Sequence, residues 1–257
     1  MAPSPSEPSP GAPVPGRREQ NRAARERAYL DAAMAIAISD GLRELTMTRL
    51  AASVDAAVGT VYTYFPSKGA LVAELQREAI ERLTASYHLV RDRSEVELEG
   101  WDDPIAAALA RMATFGAFWI STMDTFPQEA ALLHGLISES QILVPPEERH
   151  RVVPTALALL DEARQVVVVA CDVGAIDACE PIELVVRWAS ALTGVLLTRN
   201  IGGGSPIVIE PARLANDLQR ELLRGWGATP DALEQAEAHV ARLAAGGPLA
   251  PPPGDRS

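Results

Sequence analysis

The amino-acid sequence predicts an all-α fold of about nine to ten helices. Apolar residues recur with helical period through nearly everything between the two ends of the chain. Glycine, proline and capping residues interrupt that period at helix-length intervals. One run, Val166 to Val169, is β-branched enough to pass for a strand, but no second strand stands ready to pair with it, so it is read as helix.

In order along the chain, residues 1–16 hold six prolines with Ser, Gly and Ala and read as a disordered tail. Tyr29, Ala32, Ala33, Ile36 and Ala37 form the stripe of a first amphipathic helix, which Gly41 can end. A short helix from Thr46 or Met47 to Ser53 follows, then another from about Ala57 to Tyr64. Pro66 breaks the chain, and Ser67 can cap a long helix reaching about Arg91, with Val72, Leu75, Ala79, Ile80 and Leu83 as its stripe. The polar stretch Asp92 to Glu99 reads as a connection. Further helices are expected near 103–123, 127–141, 146–171, 181–199, 210–225 and 230–244. Pro154 should start, kink or split the third of these. Thr229 before Pro230 is the start signal of the last. Residues 246–257, rich in Gly and Pro, read as a second disordered tail. The predicted units are therefore 17–66 and 67–245.

The 257 residues can bury one large core or two unequal ones without disulfides. The longest apolar runs, such as Val166 to Cys171, are far shorter than the ~20 residues that cross a bilayer. No basic segment followed by an apolar one opens the chain, so no signal peptide is expected and the location read is cytoplasmic. Cys171 and Cys179 match no zinc or redox spacing and read as reduced core thiols. The net charge is −11, unfavourable at first sight for a nucleic-acid binder. It divides unevenly: −1 over residues 1–16, +2 over 17–93 and −12 over 94–257. Fields between exposed charges are screened within ~8–10 Å, so the mildly basic N-terminal part can meet phosphate despite the acidic remainder. Arg17, Arg18, Arg22, Arg25 and Arg27 crowd its start, either as a DNA-contacting arm or as a solvated helix start.

Three short helices with Leu42, Leu45, Leu50, Val54, Val61 and Phe65 at their contacts make a tri-helical unit, in which the second helix of the turn enters a major groove. Gly59, at the front of that helix, has no Cβ and lets a backbone come close. Thr60 offers a hydroxyl and a methyl to phosphate or base edge. Tyr62 and Tyr64 carry phenol groups that reach phosphate, and Lys68 brings a charge to the first turn of the next helix. The segment from Thr46 to Lys68 resembles the N-terminal domain of TetR-like regulators, with Thr46, Leu50, Ala51, Gly59, Tyr62, Tyr64, Phe65 and Lys68 in register and Asp40, Gly41 and Leu42 before it. The likeness covers about residues 22–75. It implies base reading by Val58, Thr60, Tyr62 and Thr63, with Thr48 reaching in from the preceding helix, and phosphate clamps at Thr46, Tyr64 and Lys68. Asp55 stands where the family commonly has Gly, and Ala57 where it has Ser or Thr, so the recognition helix loses its usual N-cap unless Asp55 caps it from two residues earlier.

The same resemblance implies a homodimer, a small-molecule effector held in the C-terminal helices, and release of operator DNA when the effector tilts the long helix. The helices at 181–199 and 210–225 carry surplus apolar surface, and Val185, Trp188, Leu192, Val195, Leu214 and Leu218 are read as the dimer face. Phe115, Trp119, Met123 and His134 are read as lining an effector pocket for a largely apolar ligand. No metal, cofactor or membrane partner is expected. His88, His134, His150 and His239 form no i, i+3 or i, i+4 pair, and Gly202 to Gly204 lack the lysine and strand of a phosphate loop. An enzyme is therefore not expected. The alternative is a helical adaptor that senses a protein partner.

Overall fold

The computed structural model describes residues 16–130, 132, 145–200 and 210–254. Nine α-helices and no strand occur among them: α1 Arg17–Asp40, α2 Met47–Ser53, α3 Val58–Tyr64, α4 Lys68–Leu98, α5 Pro104–Thr125, α6 Arg149–Asp172, α7 Pro181–Leu196, α8 Pro211–Gly225 and α9 Pro230–Gly246. Residues 127–130 are also helical; the rest of the helix expected at 127–141, apart from 132, lies outside the described residues, as do residues 1–15 of the tail expected at 1–16. The chain divides into two compact units after Leu71, a head and a body, so the head takes the first turn of α4.

In the head, α1 buries Tyr29, Leu30, Ala33 and Ile36 and ends at Gly41, whose φ of 90° suits glycine. Thr46 caps α2 by accepting from the Arg49 N–H at 3.1 Å. Ser67 caps α4 in the same way, accepting from the Ala70 N–H at 2.9 Å. Leu45, Leu50, Val61, Phe65 and Leu71 are buried.

The body is organised on α5, which packs against α6, α7, α8 and α9. Asp103 caps it, its Oδ1 accepting from Ile105 and Ala106 with Pro104 at the first helical position. Among the described residues α5 alone is long and apolar enough to cross a bilayer, but 78% of that stretch is buried by this chain itself. Tyr87, Phe115, Phe118 and Trp188 form an aromatic cluster beside it, with ring centroids 4.9–5.6 Å apart for Tyr87–Phe115, Tyr87–Phe118 and Phe115–Trp188.

Four expectations are corrected. First, α4 does not stop at Arg91: it runs through the polar stretch to Leu98, and Gly100, at φ 85°, ends the turn that follows. Its polar residues have long-range partners, with Glu95 held in two bonds by Arg111 (2.8 and 2.7 Å) and buried Ser94 bonded to His239 at 2.8 Å. Second, α6 runs through Pro154 as one continuous helix, so the proline neither starts nor splits it. Third, residues 247–254 are held rather than loose: Ala250 is fully buried, and the Arg93 guanidinium donates to the carbonyls of Leu243 and Pro248. Fourth, Cys171 and Cys179 are half-buried rather than in the core, and a turn through Gly174 (φ 71°) folds the chain back so that they meet. Thr229 occupies the N-cap of α9 as expected, without a side-chain bond.

His239 is fully buried, with Nε2 bonded to Ser94 Oγ, which lies 3.4 Å from Thr114 Oγ1, and the Trp101 ring edge-on to it. Burial holds its pKa below the usual histidine value, against the pull of Glu97, whose carboxylate is 3.6 Å from Nδ1. The native state therefore binds fewer protons than the unfolded chain once pH drops below about 6.5. Stability should be full above that pH and fall as pH decreases towards the lowered native value, by up to ~1.4 kcal/mol per pH unit. Urea midpoints measured across this window test it: His239→Gln should flatten the slope by about one proton, and an unchanged slope would assign the effect to another group.

Candidate nucleic-acid interface

The turn between α2 and α3 depends on Asp55, the one non-glycine residue among those described with positive φ, at 49°. Aspartate tolerates this region better than most residues. The Ala56 N–H closes the turn on the Ala51 carbonyl at 2.9 Å. Met47, Leu50, Ala51, Val61 and Phe65 are buried on the inner side of the helix pair. Thr46, Thr48, Gly59, Tyr62 and Thr63 are exposed, while Val58, Thr60 and Tyr64 are half-buried. Tyr62 is 48% exposed, a large fraction for a tyrosine that the fold could have used in its core.

Each predicted contact residue has a definite local state. Accepting from Arg49 leaves the Thr46 hydroxyl hydrogen free to donate outward. A Cβ placed on Gly59 would meet nothing within 4 Å, so packing does not require glycine there. The Thr63 hydroxyl donates to the Gly59 carbonyl at 3.1 Å, leaving its methyl and lone pairs outward. Lys68 Nζ donates to the Arg43 carbonyl at 3.1 Å, which fixes the ammonium beside the α1–α2 connection and keeps its other two hydrogens. Asp55 does not cap α3: Ala57 is the N-cap and makes no side-chain bond, because Asp55 is committed to the left-handed turn.

Of the five N-terminal arginines, Arg22 packs on an aromatic ring of the head. The helix begins at Arg17, and the Arg22 guanidinium lies 5.7 Å over the ring of Tyr64, which stands edge-on to Tyr29 at 5.1 Å. The spacing carried a signal: Arg22 precedes Tyr29 by seven residues, two turns along one helix face. Arg49 is exposed on α2 but is paired with Asp40 and, at 3.9 Å, Glu44.

Residues 30–75 match the sequence family described as bacterial regulatory proteins, tetR family. Over these residues the head is similar to that family. Over 61 residues the chain is 42% identical to the HTH-type transcriptional repressor KstR of Mycolicibacterium smegmatis, covering 24% of this chain and 30% of that protein. The chain thus matches about a third of that relative's length. Solved structures agree over a longer span in fold alone. The fatty acid degradation regulator FadR from Bacillus halodurans superposes with TM-score 0.57 at 14% identity, over 80% of this chain and 97% of that one. FadR from Bacillus subtilis in complex with stearoyl-CoA gives 0.54 at 14% identity, over 77% and 98%.

In the body, the described residues read as lining a pocket border neither of two clefts found there. Phe115 is packed in the aromatic cluster, and Trp119 Nε1 donates to Thr193 Oγ1 at 3.1 Å. Met123 is half-buried near the end of α5; His134 lies outside the described residues. One cleft, of about 280 Å³, lies between α4, α5 and α6, with Tyr87, Arg91, Arg111, Glu162, Val166 and Val169 among its walls. The other, of about 320 Å³, lies between α5, α8 and α9 beside Gln219. Of the residues read as a dimer face, Val185, Trp188 and Leu192 are buried inside their own protomer. Because α7 is apolar around more than half its girth, periodicity alone could not say which side turned inward. Its outward apolar residues are Ile182, Val186 and, just beyond, Leu197, with Leu214 on α8 also exposed, and Val195 and Leu218 half-buried.

Proposed function

We propose that this TetR-like chain is a DNA-binding transcriptional regulator, a repressor that acts in the cytoplasm as a homodimer and leaves its operator when a small molecule enters the body. One observation supports the DNA reading above the rest: the outward side of α2 and α3 carries Thr48, Tyr62 and Thr63 around a glycine whose missing Cβ leaves open space. A fold that only needed packing would fill that space or bury that tyrosine. The dimer face moves to Ile182, Val186, Leu197 and Leu214, with Val195 and Leu218 beside them. The effector site moves to the cleft between α4, α5 and α6, where Val166 and Val169 suit an apolar body and Arg91 with Arg111 suit a polar head.

A contrast between two variants tests the DNA reading. Lys68→Ala should weaken binding to every sequence and lower the salt slope by about one. Thr60→Ala should change preference at one position of each half-site, by about 1–3 kcal/mol. Both are read by anisotropy on operator variants across a salt series, with the chain's own upstream DNA as first target. No binding by the wild type there or at footprinted genomic sites would refute the regulator reading in favour of an adaptor.

A further inference from the structure

Cys171 lies in the last turn of α6, and Cys179 lies two residues before Pro181, where α7 begins. The segment between them is tightly held. Val173 and Ala175 donate back to the carbonyls of Val169 and Ala170 at 3.2 and 2.8 Å, and Ala175 and Ile176 are buried. Farther on, the Asp177 N–H donates to the Trp226 carbonyl at 2.7 Å, pinning the segment against the α8–α9 turn. The outcome is two sulfurs 3.1 Å apart, on residues that both remain partly open to solvent. A disulfide needs ~2.05 Å, so about 1 Å of closure separates the two states.

We propose that Cys171 and Cys179 are an oxidation site, which a peroxide converts into an intrachain disulfide joining the end of α6 to the approach to α7. The chemistry balances in two steps. The Cys171 thiolate attacks the peroxide, its sulfur gains one oxygen as a sulfenic acid, and the other oxygen leaves as hydroxide, which is protonated to water. The Cys179 sulfur then attacks the sulfenic sulfur, the S–O bond breaks, and the oxygen leaves as a second water carrying the thiol proton. Two thiols are oxidised by two electrons, and one peroxide is reduced to two waters. Burial and the neighbouring Cys171 sulfur push the Cys179 thiol up to about 11, and the same disulfide forms whichever sulfur meets the peroxide first. The site does not depend on the DNA-binding reading.

The test uses the full chain treated with hydrogen peroxide and then with an alkylating agent. The expected product has lost both alkylatable thiols and the mass of two hydrogens, runs as a monomer on a non-reducing gel, and returns to the starting mass with dithiothreitol. Its melting temperature should rise by about 5 °C or more over the reduced form, because the disulfide restricts the unfolded chain. Cys171→Ser and Cys179→Ser should each abolish both the mass change and the shift. Independent oxygen additions on the two cysteines, a disulfide between chains, or two thiols still alkylated after treatment would each overturn the assignment.

Discussion

Gly59→Ala should raise the stability of the head and weaken operator binding in the same variant. Gly59 sits in the first turn of α3, and nothing within 4 Å of an added methyl opposes it. Alanine there removes up to ~1 kcal/mol of helix cost. If DNA backbone or a base edge comes against this turn, the methyl enters its space, and overpacking of that kind costs about 1–3 kcal/mol. Operator affinity should then fall about 5- to 150-fold while the unfolding midpoint rises. Few substitutions separate folding from function with opposite signs, which makes this one diagnostic. Wild-type affinity in Gly59→Ala would mean that DNA does not approach the front of α3, and the contact set would contract to Thr48, Tyr62 and Thr63.

Gly116→Ala should be among the most damaging single-methyl changes in the body. An added Cβ would stand 1.6 Å from Gln219 Oε1, and the Gln219 amide is itself buried, with Nε2 donating to the Ala113 carbonyl at 3.2 Å. The glycine is a notch on α5 that receives the end of a side chain from α8. Alanine must expel that amide, breaking its hydrogen bond and disturbing the contact between the two helices, at about 2–3 kcal/mol. The melting temperature should fall by roughly 5–10 °C. Gln219→Ala empties the notch, so the double variant should be more stable than Gly116→Ala alone, a coupling that a double-mutant cycle reads directly. A neutral Gly116→Ala would show that Gln219 escapes into the adjoining cleft at no cost.

The head was legible because its determinants are local. Thr46 and Ser67 cap the helices that follow them within three residues, Gly41 ends α1, and Asp55 turns the chain by its own backbone preference. The body was less legible wherever a partner lies far along the chain. Ser94 and Glu95 read as part of a polar connection because His239 and Arg111, which make them helical residues of a packed body, are 145 and 16 residues away. Phe115, read as lining a pocket, and Trp188, read as part of a dimer face, pack against each other instead, because periodicity cannot say whether apolar residues enclose a cavity, meet a partner or fill a core. Spacing also misled for Cys171 and Cys179: eight residues match no zinc or redox motif, and the turn at Gly174 brings the sulfurs together.

Arg93, which fastens the Leu243 and Pro248 carbonyls, sets an order of events during synthesis. Its partners are made 150 and 155 residues after it. At about 5–20 residues per second, the end of α4 waits roughly 8–30 s for them. The head needs no such wait, since Lys68 reaches back only 25 residues to Arg43. A nascent chain can thus carry a finished head while the body is still open, the apolar α5 lacking its α9 contacts until the last helix is made.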